Sequence, residues 1–371
     1  MRISRSGVPH SHSFVRVAVI RLRSLWPGRA GCCPMQTSAS APDTQRRPVV
    51  VHIGPSRDAR GGIASVLQAY AASARLNDAY DVRFIATSRG ESKLAAMFHY
   101  LAALRELRTL THSPLRPIVH VHMASGGSFW RKSIVLAHAA RAGCPTVLHL
   151  HGGGFRRFAE RSGRLVRRRI RRTFARATCV VVLSREWVEN VAAVTGRADA
   201  VVVPNPVIVP EECASGSEPP MVLFLGRLSE RKGTDTLLDA AAILQSRGVR
   251  ATYVLAGDGD VAEWRKRVAL LPDPEEVELP GWVSGNAKYD LLSSADVFCL
   301  PSLYEGVPMS ILEALAWGVP CIATPVGGVS SVVADGVNGA LVPPGDASAL
   351  SDAIMRLLTD PADRRRLGRV G

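Results

Sequence analysis

Several features are missing from this chain of 371 residues, and each absence removes a class of protein. No run of 18 residues is both apolar and uncharged, so no membrane-spanning helix is expected. The seven cysteines include no Cys-x-x-Cys pair and are odd in number, which argues against a disulfide framework or a thiolate zinc site and for reduced, cytosolic thiols. No Gly-x-Gly-x-x-Gly follows either of the strands that open an α/β pattern, at Val49 and at Met221, so a nicotinamide-dependent oxidoreductase is disfavoured. The apolar stretch from Phe14 to Trp26 is broken by Arg16, Arg21 and Arg23 and lacks the unbroken core of a secretory signal. No histidine occurs after His151, although there are ten before or at that position.

What is present begins with charge. The net charge is +14, but residues 1–48 hold eight arginines and one aspartate, and residues 156–176 hold ten arginines and one glutamate, so the remainder sums to −2. The basic character therefore belongs to two segments. Residues 1–34 read as an upstream extension and Met35 opens a polar leader, so residues 1–47 together are expected to be a disordered basic and polar extension. Segment 156–176 reads as one helix with an apolar stripe of Phe158, Leu165, Ile170 and Phe174, its other faces covered by arginine. Such a helix suits peripheral contact with an anionic membrane or the diphosphate of an acceptor. Too few aromatics accompany it for base stacking, so nucleic acid is not an expected partner.

From Val49 onward short apolar runs alternate with helical patterns, which predicts a parallel sheet wrapped by helices. Expected strands are Val49–Ile53, Val82–Ala86, Ile118–Met123, Thr146–His151 and Cys179–Leu183, then Met221–Leu225, Ala251–Ala256, Val297–Leu300 and Cys321–Ala323. The Pro-, Ser- and Gly-rich run at 209–220 reads as a linker. The fold class is thus α/β: a first Rossmann-like domain over 48–208, the linker, a second over 221–360, and a terminal segment at 361–371. Two such domains facing each other place a crevice at the carboxyl ends of both sheets.

The chemistry-bearing residues fall after strands, where that crevice would lie. Glu305 and Glu313 flank Pro308, a residue suited to a helix's first turn, so one carboxylate precedes a helix, the other lies inside it, and both sit near one face. The amides of Gly306 and Val307 point into the same space, where a helix N-terminus favours an anion. Carboxylates that accept from hydroxyls beside amides that hold phosphate describe a sugar-nucleotide site, with Glu313 on ribose and Glu305 on the sugar. The bland reading is a pair of helix N-terminal acids, and it suits Glu305 better than Glu313. Arg227 and Lys232 put two cations beside a Gly-flanked turn, where they would stabilise charge growing on a diphosphate leaving group. Gly61-Gly62 after the first strand permits close backbone approach, though any turn can need glycine. His120 and His122 share one strand face, as do His149 and His151. No carboxylate or cysteine completes a metal site, so polar side chains at strand ends beside the cleft are the ordinary reading. Asp258-Gly259-Asp260 reads as a turn and not as a metal motif.

The order of these motifs resembles a known family. Gly226-Arg227-Leu228-Ser229-Glu230-Arg231-Lys232-Gly233, the Glu305 to Glu313 stretch, Trp317-Gly318-Val319-Pro320, Thr324-Pro325-Val326-Gly327-Gly328 and Asp335-Gly336-Val337-Asn338-Gly339 look like the retaining nucleotide-sugar glycosyltransferases of group 1 (family 4), which have the two-domain GT-B fold. The resemblance is strong over about 221–345 and looser back to about 49. It implies that Arg227 and Lys232 bind a donor diphosphate, that Gly61 and Gly62 lie near donor phosphate and acceptor, that His151 contacts the donor sugar, and that Val283 and Lys288 hold the base. It implies metal-independent transfer, with no cofactor beyond the nucleoside-diphosphate sugar substrate. It also implies a long C-terminal helix crossing back onto the first domain, and the chain stops at Gly371, about where that helix would begin. The expected function is hexosyl transfer with retention to a polysaccharide or polyprenyl-diphosphate-linked glycan acceptor, in bacterial cell-surface polysaccharide assembly at the inner face of the plasma membrane. The alternative is a nucleotide-sugar- or membrane-binding protein without turnover.

Overall fold

A computed structural model of the chain describes residues 47–89, 93–114 and 116–371; the basic extension expected at the N-terminus, but for Arg47, lies outside the described residues. Two six-stranded sheets form. The first contains β1 (Val49–Gly54), β2 (Asp81–Ala86), β3 (Ile118–Met123), β4 (Thr146–Leu150), β5 (Cys179–Val182) and β6 (Val201–Val202), in the order β2-β1-β3-β4-β5-β6. The second contains β7 (Met221–Leu225), β8 (Thr252–Ala256), β9 (Val277–Gly281), β10 (Val297–Leu300), β11 (Cys321–Ala323) and β12 (Gly339–Leu341), in the order β12-β11-β10-β7-β8-β9. Every pairing is parallel. Helices cover the sheets, which is why central strands such as β10 are apolar and buried at every position.

Each expected strand is present to within a residue or two. The strands that apolar patterning missed are β6, β9 and β12, all at sheet edges. β6 and β12 are only two and three residues long, and β9 carries Pro280 and a register shift opposite Val254–Ala256. Two helical segments are interrupted, the second of them where a single helix was expected. The helix after Gly61 ends at Ala72, because Ser73 adopts an extended conformation and its side chain caps a new helix, Ala74–Ala79, by accepting from Leu76 N. The Arg-rich segment is two helices, Phe155–Glu160 and Arg164–Arg176, separated at an extended Gly163. Arg167 reaches back across the break to donate to the carbonyls of Ala159, Glu160 and Ser162. Of the expected stripe, Ile170 and Phe174 are buried, Phe158 is half-buried and Leu165 is exposed.

In each sheet the strand order reverses once, between β1 and β3 and between β7 and β10. Ligands of open α/β sheets bind at the carboxyl side of that reversal. The loops that leave those strands are the ones carrying Gly61-Gly62, Ser125, Arg227 to Lys232 and Ser302 to Gly306.

The linker is held more firmly than its composition suggested. Residues 203–220 contain no helix or strand, but from Ala214 onward they are hydrogen-bonded to the second domain: Ala214 N to Trp317 O, Ser215 N to Ser293 O, and Ser217 N to Asp296 Oδ2. The nearly buried Asp296 carboxylate also accepts from Met221 N and pairs with Arg364 at 3.1 Å. Arg364 lies on the last helix, Pro361–Gly368, which packs on the second domain through the fully buried Leu367. Asp296→Ala would leave a guanidinium and two amides without their shared acceptor. We expect a loss of about 3 kcal/mol in denaturant unfolding, and a smaller loss for Asp296→Asn, which keeps an acceptor oxygen.

Candidate active site

The loops at the two reversals meet across a cleft of about 940 Å³ lined by both domains. A missing side chain makes the meeting possible. A Cβ on Gly153 would stand 2.8 Å from Glu305 O and from the Gly306 backbone, so only glycine allows these segments to touch. Tyr304 Oη donates to Gly153 O across the same gap, and Asn205 Nδ2 donates to Val307 O at 3.4 Å. Gly233 performs a similar task within the second domain. It has φ +73°, and its hydrogen points at Pro301 O where a Cβ would lie 2.0 Å away. This seats the Ser229 to Lys232 turn against the loop after β10, and Leu303 N donates to Arg231 O.

The charged side chains of that turn and loop are paired. Lys232 bridges to Glu305, whose Oε1 also accepts from Ser302 Oγ. Lys288 bridges to Glu313 at 2.9 Å. All four side chains are less than a fifth exposed. A carboxylate offers about four lone-pair sites, so each lysine fixes its partner's rotamer while leaving acceptor capacity toward the cleft. Pro308 is the N-cap of the helix Met309–Ala316 and not a residue of its first turn, so Glu305 stands before the helix and Glu313 within it. The glutamates thus face one cavity as expected, each tethered by a lysine from a different element.

The cleft brings together every residue expected to hold the sugar nucleotide: Gly61, Gly62, His151, Arg227, Lys232, Val283, Lys288, Glu305, Gly306, Val307 and Glu313 all line it. Asp258 lines it too, whereas Asp260 caps the helix Val261–Val268 by accepting from Glu263 N. Sequence reasoning passed over Ser302, Tyr304 and Asn205. Their roles depend on partners 3, 151 and 102 residues away, and no local spacing reveals the two long-range contacts.

One expectation about the histidines is overturned. They are not polar groups at strand ends beside the cleft; only His151 reaches it. His52, His122 and His149 are buried on the sheet face opposite the main apolar core, with His120 half-buried among them. Period-two alternation puts every second residue of each strand on this face, and β1, β3 and β4 all place imidazoles there. Two groups of three, His52/His120/His122 and His122/His149/His151, bring ring nitrogens within 4.8 Å of one another. Burial is the main cause lowering their pKa values, to about 3 for His120 and His151 and well below the ordinary range for His52, His122 and His149. All five are neutral at pH 7.

Comparison with known proteins gives a consistent picture. Residues 49–206 match the family described as glycosyl transferase 4-like domain, and residues 209–371 match glycosyl transferases group 1. The chain is 31% identical over 204 residues to the amylovoran biosynthesis glycosyltransferase AmsK of Erwinia amylovora, covering 52% of this chain and 50% of that one. It is 34% identical over 149 residues to the alpha-D-kanosaminyltransferase of Streptomyces kanamyceticus, covering 40% and 39%. The chain therefore spans half or less of the length of these curated relatives. Among solved structures, sucrose-phosphate synthase from Thermosynechococcus elongatus superposes with a TM-score of 0.65 at 20% identity, over 86% of this chain and 92% of that one. HepE of Anabaena, in complex with UDP and glucose, gives 0.65 at 19%, over 87% and 93%. At those identities the likeness is one of fold.

The buried imidazoles impose a pH dependence on stability. Unfolded histidine titrates near 6.5, so below that value the denatured chain takes up protons that the folded chain refuses until about pH 3. Stability is therefore lost as pH falls from 6.5, by up to about 1.4 kcal/mol per pH unit for each histidine. The thermal midpoint should drop increasingly steeply as pH falls from 6.5 to about 5, and a His120→Gln variant should show a slope shallower by about a fifth.

Proposed function

Because the chain belongs to the glycosyl transferases of group 1 and has the GT-B fold, we propose that it transfers a hexosyl group from a nucleoside-diphosphate sugar to an acceptor hydroxyl with retention of configuration. The observation that carries this reading is the pair of lysine-tethered carboxylates, Lys232–Glu305 and Lys288–Glu313, in one interdomain cleft. Glu313 accepts from the ribose hydroxyls and Glu305 from the sugar. Val283 and Lys288 hold the base, and Gly61, Gly62 and the amides of Gly306 and Val307 approach the phosphates. The bond from the anomeric carbon to the diphosphate oxygen breaks with its electron pair on the phosphate. Arg227 and Lys232 stabilise that growing charge, without a metal ion in this reading. The acceptor oxygen attacks the same face of the sugar and passes its proton to the departing phosphate, while His151 orients the sugar ring.

The loop Trp282 to Lys288 contains no carboxylate to take guanine amino protons, and HepE, which shares the fold, was solved with UDP-glucose, so UDP is the nucleotide to examine first. UDP at about 100 times its dissociation constant should stabilise the protein by roughly 2.7 kcal/mol, visible as a raised thermal midpoint. Glu313→Ala should abolish the shift; an unchanged UDP affinity in a folded variant would remove Glu313 from the site. Lys232→Ala should lower kcat by about 10²-fold or more, the usual loss when a group stabilising transition-state charge is removed. Absence of both transfer and donor hydrolysis alongside an intact UDP shift would favour a binding protein without turnover.

The acceptor is proposed to be lipid-linked, as in cell-surface polysaccharide assembly, reached from the cytoplasmic face of the membrane. No helix among the described residues is long and apolar enough to cross a membrane. Support comes from one side of the first domain. The helix Arg164–Arg176 packs on the helix Gly127–Arg141, which exposes Trp130 and Ile134, and that helix packs on Lys93–Thr111, which exposes Met97, Phe98 and Leu101. Exposed apolar side chains on two helices, with exposed Arg164, Arg168 and Arg172 on the helix packed next to them, suit an anionic surface. The protein should sediment with vesicles containing phosphatidylglycerol but not with phosphatidylcholine alone, and release with salt; equal binding to both would refute the charge-led contact.

A further inference from the structure

The buried histidines are joined in a particular way. His52 Nδ1 lies 2.9 Å from His122 Nε2, and His122 Nδ1 lies 2.9 Å from His151 Nε2. The ring centroids of these pairs are 5.2 and 5.0 Å apart, and the rings are inclined by 27° and 26°. Those separations exceed the nitrogen–nitrogen distances by about two ring radii, so the nitrogens face each other nearly head-on. This is the geometry of N–H···N hydrogen bonds. It does not suit a shared cation, because two imidazoles on one tetrahedral ion at about 2.0–2.1 Å stand roughly 3.3 Å apart with both lone pairs aimed at the ion. Both nitrogens of His122 are committed, and the chain ends at His151, in the cleft.

A chain of neutral imidazoles has two possible directions, and its ends decide between them. At the buried end, His52 Nε2 has no partner. At the cleft end, Asn205 favours the protonated form of His151, and its buried Oδ1 is an acceptor without a donor in hydrogen-bonding geometry. If the protons sit on Nδ1 throughout, His52 donates to His122, His122 donates to His151, and His151 Nδ1–H is left on the side of the Asn205 oxygen and the cleft. The orphan on His52 is then a bare lone pair. The opposite direction would bury an unpaired N–H on His52 and set an imidazole lone pair against the Asn205 oxygen. Buried donors without partners are the rarer defect, so the first direction is favoured.

We propose that His52 and His122 are positioning residues that fix His151 as the neutral Nδ1–H tautomer and so present a hydrogen-bond donor to the cleft. The inference rests on the reading of that cleft as the donor-sugar site, where such a donor would hold a sugar hydroxyl oxygen. Tyr70, whose ring lies 4.9 Å from that of His52, and Phe84, at 5.3 Å, close the buried end of the chain. The parallel pair His120 Nε2 and His149 Nδ1, 3.2 Å apart, follows the same logic, because the unpartnered Nε2 of His149 lies buried beyond it.

The test is the tautomer itself, read from ¹⁵N–¹H long-range correlations of the imidazoles in the full chain, with His151→Gln assigning the signals. Wild-type protein should show His151 protonated on Nδ1 and bare on Nε2. His52→Leu, which removes the first donor, should give His151 as a mixture of tautomers, and His52→Gln, whose amide can donate to His122, should restore the single form. Removing the partner that orients a ligating histidine typically costs 10- to 100-fold, so kcat of His52→Leu should fall about tenfold with KM for the donor little changed, and recover in His52→Gln. An Nε2–H tautomer in the wild type would overturn the proposal even if His52→Leu fails to fold. So would one zinc per chain in the purified protein, or a folded His52→Leu with an unaltered His151 spectrum. Failure of the donor-site reading is separate: it would abolish the UDP-induced stabilisation and leave the wild-type tautomer as described.

Discussion

The contact of Gly153 with the Glu305–Gly306 backbone is the constraint on which the cleft depends. A single Cβ there would separate the loops that leave β4 and β10. With the glycine in place, the Tyr304 hydroxyl closes on Gly153 O, Asn205 reaches Val307, and His151 shares one cavity with Glu305 and Lys232. The second domain repeats the device internally, since Gly233 lets the Lys232 turn rest on Pro301. Backbone approach, more than any side-chain bond, sets the distance between the groups that would act on one ligand.

Charge pairing then decides how those groups are held. Lys232 and Lys288 sit on different elements from their glutamates, so the ion pairs tie a turn to a loop and one helix to another. Partly buried pairs of this kind contribute little net stability, because desolvation offsets their attraction. Their value lies in pre-orienting carboxylates whose remaining lone pairs face the cavity, where no reorganisation is then needed on binding.

Much of this was readable in the sequence. Continuous apolar runs specify strands buried on both faces, and glycine-bounded cations and carboxylates after those runs fall where two switch points must lie. Other features were not legible, for identifiable reasons. Edge strands β6 and β12 are too short, and β9 too exposed, to carry an apolar signature. The break at Gly163 depends on Arg167 capping three carbonyls, a contact that periodicity does not encode. The alternation of His120 with His122 and of His149 with His151 showed that each pair shares a face, but not that β1, β3 and β4 would align them with His52 in register. Nor could it show that their face would be buried. Tyr304 and Asn205 belong to the same category, since their partners come from the other domain.

The tethering of the linker has a mechanical consequence. Val203 N is bound to Val182 O of the first domain, and Ala214 N to Trp317 O of the second, with Asp296 and Arg364 fastening the residues beyond Ala214. Only residues 204–213 lie between these anchors, and Pro204, Pro206 and Pro210 stiffen them. Any change in the angle between the two domains would have to be taken up within this short, stiff segment. Asn205 lies in that segment while also donating to Val307 O, so the link between the two halves itself contributes a contact that holds them together.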